Sequence, residues 1–266
     1  MNDFKVLVGC DPEVFVKKNG TFLSAYGLIK GDKKNPFKVN KGAVQVDGMA
    51  LEFNIDPAHT EDEFCINVQE VFSTMCAMVP GYEVVATPVA HFDPAYLLGQ
   101  PQEALELGCD PDFNAWTGLA NTKPDGGRPM RTASGHVHIG WTNNADVTSA
   151  SHLGMVKGAM KQLDFFLGLP SLMYDADLER REMYGCAGCY RPKPYGAEYR
   201  TLSNAWLKSE KLMRWVFRNA QAGMHKLNSG VNLSQKYGDI QSIINTSDKK
   251  AAMKIIKAEK IEICYG

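Results

Sequence analysis

Residues 4–16 read FKVLVGCDPEVFV, two apolar half-strands joined through Asp11-Pro12. β-branched and aromatic residues on both sides predict one β-strand that crosses the proline. Side chains alternate faces along a strand, so Asp11 and Glu13 project from the same side. Acidic residues that interrupt an apolar strand need a compensating role, because a buried unpaired carboxylate is costly. Proline carries no N–H for a ladder, which predicts an edge strand or a bulge here. Asn19-Gly20 then supplies a hairpin turn into Thr21–Ala25.

The same i, i+2 spacing recurs in His136-Val-His138 and in Glu198-Tyr-Arg200, each inside a stretch that reads as strand. Two carboxylates, two imidazoles and a carboxylate–guanidinium pair are what a metal-plus-phosphate site requires. Hard divalent cations take oxygen ligands, imidazole ligates metals or donates to phosphate, and guanidinium forks match phosphate oxygens. Three such pairs predict a sheet floor that holds metal and nucleotide. Glu52 and Asn54 in LEFNI repeat the spacing, and plain amphipathic alternation explains them equally well. Asp47 stands five residues before Glu52, the wrong parity for one straight strand. Either Gly48 turns or bulges the chain, or only one of the two carboxylates faces the metal. Arg131, just upstream of the histidines, is placed for an anion. Arg180, Arg181, Arg191, Lys193 and Arg200 form the densest cationic region. Ordinary surface charge on a solvated loop accounts for Lys193 and Arg180, and not for Arg200 beside Glu198.

With 266 residues the chain suffices for one large domain or two fused halves. Lysine and arginine number 29 against 30 acidic residues, and no basic run occurs, which argues against nucleic-acid binding. No apolar run approaches the roughly 18–20 residues that span a bilayer, and residues 1–10 lack a signal-peptide pattern. Seven cysteines, an odd count without a framework, fit a reducing compartment and a cytoplasmic location. Cys186-Ala-Gly-Cys189 is a lone CxxC, better read as two cysteines flanking a Gly-rich loop than as a zinc or redox motif. Periodicity predicts helices over 60–79, 146–169 and 208–227, with Thr60 and Glu63 forming a capping box. It also predicts a helical end over 234–266 that closes on a strand, IEICY. Residues 30–41, 93–130 and 175–196 read as loops, the second including the stretch Cys109–Trp116 and marked by its length as functional or mobile. The expected class is α+β, a single domain over 1–266. Neither a Gly-rich GKS/T loop nor a nucleophile elbow occurs.

Taken together, GCDPEVFV, DGMALEFNI, SGHVHIGW and YGCAGCYRPKPYGAEYRTLSNAW resemble the glutamine synthetase and glutamate–cysteine ligase superfamily. Within it they look most like the phage-type carboxylate–amine (COOH-NH2) ligases, type 2. The resemblance implies a curved, mainly antiparallel sheet with the site on its concave face and helices packed behind. It implies an ATP-dependent ligase that forms an amide through an acyl phosphate, using two or more Mg²⁺ ions, with Mn²⁺ able to substitute. Glu13 would hold one metal with Glu52 and Asp47, and Asp11, His136 and Glu198 the second. Asp11 stands where synthetase relatives carry glutamate, one methylene longer. Arg200 would touch the transferred phosphoryl group, and Arg181 and Arg191 the nucleotide phosphates, with His138 and Arg131 on the nucleotide side. The substrates implied are a small-molecule or peptide carboxylate and an amine. A phosphotransferase on the same sheet, or a non-catalytic phage assembly protein, are the competing readings.

Overall fold

The computed structural model describes residues 5–105, 112–122 and 128–266. Phe4 of the expected first strand and Cys109–Pro111 of the expected loop lie outside the described residues. Ten strands form one large curved, unclosed sheet backed by helices, an α+β architecture. They are β1 (Leu7–Lys18), β2 (Thr21–Leu23), β3 (Phe37–Val39), β4 (Gly42–Asp47), β5 (Ala50–Ile55), β6 (Glu83–Val85), β8 (Phe113–Asn114), β10 (Gly135–Gly140), β11 (Cys189–Lys193) and β12 (Gly196–Tyr199). The order is β3-β4-β5-β1-β10-β12-β11-β8, and β2 and β6 pair with the far half of β1. The remaining strands, β7 (Val89–His91) and β9 (Met130–Thr132), form a separate ribbon. Every ladder is antiparallel among the described residues.

β1 is interior, not an edge, and the chain accommodates Pro12 by interrupting one ladder. Glu13 donates its N–H toward the β10 side, to Ser134 O at 2.8 Å, so the Pro12 nitrogen faces β5. On that side the β1–β5 ladder begins only at Glu13↔Glu52, while Val8 bridges Ala58 one register step away. The missing donor therefore falls in a gap where no partner acceptor waits.

Alternation sends Val8, Cys10, Val14, Leu51, Phe53, Val137, Ile139, Ala197 and Tyr199 to the opposite face, where all are buried in the main core. The helices Glu61–Ala77, Ala150–Leu163 and Glu210–Asn228 pack there, contributing Phe64, Val68, Met160, Trp215 and Val216. Full burial of each large apolar side chain contributes about 1.5–3 kcal/mol. Thr60 caps the first helix by accepting from Glu63 N–H at 3.2 Å, while the Glu63 carboxylate accepts from the N–H of His59, one residue before the cap, at 2.7 Å. Gly135, which precedes the histidine pair, admits Ser203 O and the Trp206 indole so closely that an added Cβ would lie 2.3 Å from each. That approach lets Trp206 Nε1 donate to Gly135 O at 3.1 Å and fixes the start of β10.

Several expected segments differ, among them the loop 30–41, which contains β3, and the loop 93–130, which contains the helices Pro94–Leu98 and Gln102–Leu105 and β8. The terminal IEICY is not a strand, because its backbone binds side chains instead of a sheet edge. Trp215 Nε1 and Asn219 Nδ2 both donate to Glu262 O, each at 3.0 Å, while Ile261 and Cys264 are buried. The expected loop 175–196 contains the helix Leu178–Met183 and β11.

Arg180, expected as surface charge, is 1% exposed and donates to the carbonyl oxygens of Ala133, Thr201 and Leu202 at 2.7–3.2 Å. It ties the helix Leu178–Met183 to the ends of β9 and β12. Burial pushes its guanidinium down to about 10, with neighbouring Arg181 adding to the effect. Arg180→Met strips three buried acceptors of their donor and is expected to cost about 3–5 kcal/mol in urea unfolding. A loss below about 1 kcal/mol would contradict this structural role.

Candidate active site

Directly paired residues of an antiparallel sheet share a face. Asp11↔His136, Glu13↔Glu52, His138↔Glu198, Glu198↔Arg191 and Gln45↔Glu52 are all such pairs. The polar positions of β4, β5, β1, β10, β12 and β11 thus lie on the one face that the main core does not cover. Gly48 resolves the parity of Asp47 and Glu52. It belongs to a tight turn closed by the pair Asp47↔Ala50, so the chain reverses and both carboxylates face the same way.

One ligand atom from each of Glu13, Asp47 and Glu52 lies within 4.8 Å of the others. Burial, then the charge of Asp47, lifts the Glu13 carboxyl to about 7, although Ser134 N–H donates to it at 2.8 Å. Burial, then Asp11, Asp47 and Glu13, lifts Glu52 well above the carboxylate range against a 2.9 Å hydrogen bond from Gln45. Lys33 reaches over from the expected surface loop, with its ammonium 2.8 Å from Asp47.

The second group is Asp11, His136 and Glu198, again within 4.8 Å. His136 Nδ1 stands 3.3 Å from Asp11 and 3.4 Å from Glu198. Burial, then Arg200, pushes His136 down to about 4, which leaves a neutral ring able to ligate. His138 Nε2 is 3.0 Å from Asp11, while its Nδ1 meets the Tyr195 hydroxyl. Burial works to raise the Asp11 carboxyl, but the His138 and His136 rings outweigh it and hold it well below the usual range. Glu198 is fully buried, with Arg200 Nη1 on one oxygen, Lys193 at 2.9 Å on the other and Arg191 at 3.7 Å. Arg200 Nε also contacts Asp112 at 3.3 Å, and its guanidinium lies 5.2 Å from the Tyr184 ring centre.

The structure brings together Asp11, Glu13, Asp47, Glu52, His136, His138, Glu198, Arg191 and Arg200. It leaves out two expected residues. Arg131 is buried and donates to the carbonyls of Arg128 and Met130. Arg181 contacts Ser171 Oγ at 3.4 Å, and its charge bears on Asp164, Tyr174 and Tyr199 behind the sheet. Tyr199 alternates with Glu198, so it necessarily points the other way. Conversely Lys193, read as a solvated loop residue, sits in the site because β11 places it two positions from Arg191 on the same face. Lys33, Gln45, Asp112, Tyr184 and Tyr195 were not anticipated. Gln45 lies two residues before Asp47, Asp112 in a long loop, Tyr184 at the head of the stretch that carries the CxxC and Tyr195 three residues before Glu198, whereas Lys33 has no such neighbour.

The donor sets fit divalent cations. The first is all oxygen and strained by its own charge, which an ion would relieve. In the second, Asp11 Oδ1 and Glu198 Oε2 are buried without a well-angled hydrogen bond among the described residues. The profile of the family described as Phage phiEco32-like COOH.NH2 ligase-type 2 matches residues 126–263. The chain belongs to this family. The match covers β9 to β12, with His136, His138, Arg191, Glu198 and Arg200, while the first carboxylate group and Asp11 lie upstream of it. No curated protein matches the chain in sequence. Membership makes it a carboxylate–amine ligase in general kind. No helix among the described residues is long and apolar enough to cross a membrane.

The raised Glu13 carboxyl has a pH signature. Its folded value of about 7 exceeds the ordinary 4.5, so the folded state holds a proton that the unfolded chain gives up. Its contribution to stability is complete below about pH 4.5 and is lost as pH rises through about 7. In metal-free protein, Glu13→Gln is therefore expected to raise Tm at pH 8 relative to the parent, with the gap closing toward pH 5. Equal Tm differences at both pH values would refute the charge-strained cluster.

Proposed function

We propose that this protein is an ATP- and Mg²⁺-dependent ligase that joins a carboxylate to an amine through an acyl phosphate. The sheet would be glutamine synthetase-like, with the site on its concave face. The observation that carries the reading is the pair of ligand groups on either side of β1, both bordered by cations, in a chain of a carboxylate–amine ligase family. Glu13, Asp47 and Glu52 would hold one divalent ion, and Asp11, His136 and Glu198 another. Mn²⁺ is an acceptable substitute, since these ligands suit both ions. Bound ions would neutralise the triphosphate as its γ-phosphoryl group moves.

The chain's own side chains supply alignment and charge. A substrate carboxylate oxygen attacks the γ-phosphorus and ADP departs. The amine then attacks the acyl carbon, and phosphate leaves with the proton balance met by solvent. No covalent nucleophile of the protein is needed. Arg200, Arg191 and Lys193 meet the phosphoryl oxygens from the β11–β12 side, where Glu198 already gathers them. A guanidinium offers two aligned N–H groups to a phosphoryl group, and its fixed position avoids reorganisation during transfer. His138, oriented by Asp11 and Tyr195, lines the nucleotide side. Lys33 occupies the first carboxylate group and must yield or shift when an ion enters. The substrates required are a small-molecule or peptide carboxylate and an amine.

ADP and phosphate release measured over a panel of carboxylates and amines tests this reading. Turnover is expected to need both substrates and Mg²⁺ and to fall about 10²–10³-fold in Arg200→Ala. Glu13→Gln is expected to lose activity on a similar scale. Turnover unchanged by Glu13→Gln would overturn the metal assignment, and a stable phosphorylated product without amide would favour phosphotransfer.

A further inference from the structure

The Cys186–Cys189 pair lies outside the chemistry assigned so far, yet the fold presents it in an ordered way. Cys189 N–H donates to Cys186 O at 3.2 Å, closing a four-residue turn. Gly188 occupies its third position at φ +74°, the backbone that a type II turn requires there. An added Cβ on Gly188 would lie 2.5 Å from Trp116 Cδ1, so glycine is needed for packing as well. Such a turn keeps its end Cα atoms within about 7 Å, the span that a disulfide can bridge. The two thiols face each other with Sγ atoms 3.0 Å apart.

We propose that Cys186 and Cys189 form a reversible disulfide whose closure regulates the site through Arg200. Cys186 is half-buried and Cys189 is fully buried, so Cys186 is the sulfur that an external oxidant reaches first. The hydrogen bond with Cys189 also lowers the Cys186 thiol, which favours the thiolate. A low-molecular-weight disulfide of the glutathione class serves as oxidant. The Cys186 thiolate attacks one of its sulfurs, forming a mixed disulfide and releasing one thiol. The Cys189 thiolate then attacks Cys186 Sγ and releases the second. The protein dithiol loses two electrons, the oxidant gains them, and the two thiol protons end on the released thiols.

Closure reaches the site through two short connections. Asn121 Nδ2 donates to Cys189 Sγ at 3.2 Å and to Asp112 Oδ1 at 3.0 Å, and Asp112 Oδ2 holds Arg200 Nε. Arg200 N–H donates to Cys189 O at 2.9 Å, and Thr201 Oγ1 to Cys186 O at 3.1 Å. Drawing Cys189 Sγ toward Cys186 breaks its bond to Asn121 and releases Asp112 from its fixed place beside Arg200. The disulfide itself stands independently of any activity, whereas its regulatory effect rests on the ligase reading.

The full chain, equilibrated in glutathione buffers from fully reducing to fully oxidising, is acid-quenched, alkylated and digested with trypsin. Cleavage before proline being suppressed, residues 182–200 form one peptide that carries both cysteines and no other. The expected result is loss of both alkylation sites in that peptide and a mass lower by two hydrogens, restored by dithiothreitol. Cys189→Ser is expected to trap glutathione on Cys186, while Cys186→Ser leaves Cys189 unmodified. Two alkylated thiols at full oxidation, a mixed disulfide as the end product, a link to Cys109, or a metal ion blocking both thiols would each overturn the pairing. Ligase turnover is expected to fall about tenfold on oxidation and to be insensitive in Cys186→Ser. Oxidised peptide with undiminished turnover would overturn the regulatory effect while leaving the disulfide in place.

Discussion

Glu198 has no exposed surface, and removing its partners would leave an isolated buried charge at a penalty of several kcal/mol. The surrounding sheet is arranged to prevent that. β11 lends Arg191 and Lys193, Arg200 follows directly on β12, and β10 sets His136 against the same carboxylate. Satisfying one anion therefore positions three cations and an imidazole together, before any substrate arrives. Arg200 is held further by Asp112 from the neighbouring edge, so its guanidinium has two anchors. A group meant to meet a moving phosphoryl charge benefits from this rigidity, because no reorganisation is left for the reaction to drive.

β1 performs the complementary task of separating two ion sites with a single strand. Asp11 pairs with His136 of β10 and Glu13 with Glu52 of β5, two positions apart on one side of the strand. Pro12 between them is compatible with an interior strand only because the β5 ladder stops before it. That interruption places the register change between the two ligand groups. Interior location matters as much as spacing. An edge strand would leave one of the two groups without a second wall.

Legibility in the sequence followed the range of the interactions involved. Strand alternation is local, so the shared orientation of Asp11 with Glu13, His136 with His138 and Glu198 with Arg200 could be read from spacing alone. The Asp47–Glu52 relation could not, since it depends on where a hairpin closes. Lys33 escaped notice because a lysine in a polar loop carries no periodic mark, and only the folded sheet brings Asp47 beneath it. Arg180 reads as surface charge and the resemblance places Arg181 at the nucleotide, yet both are buried, and the helix that carries them sends the two neighbours in different directions. Arg180 turned to strand-end carbonyls and Arg181 to Ser171 behind the sheet. The terminal segment misled for a related reason. Alternating apolar residues satisfy a strand pattern, but Trp215 and Asn219 supply donors that make a sheet edge unnecessary.

The two ligand groups differ in their electrostatic state, and the difference bears on how the site would load. Around Asp11 the two histidine rings outweigh desolvation, so the carboxyl stays ionised and the group is complete as folded. Around Glu13 the carboxylates crowd one another, with Lys33 as the cation in contact, and Glu13 and Glu52 favour protons. An ion entering there must displace those protons and the lysine contact, so its apparent affinity rises with pH. A triphosphate brings its own negative charge and cannot relieve that crowding by itself. Under the proposed chemistry, the second group and its arginines can receive phosphate directly, whereas the first becomes hospitable to it only once a cation is present. The strand that carries Asp11 and Glu13 thus joins a charge-balanced half-site to a charge-strained one.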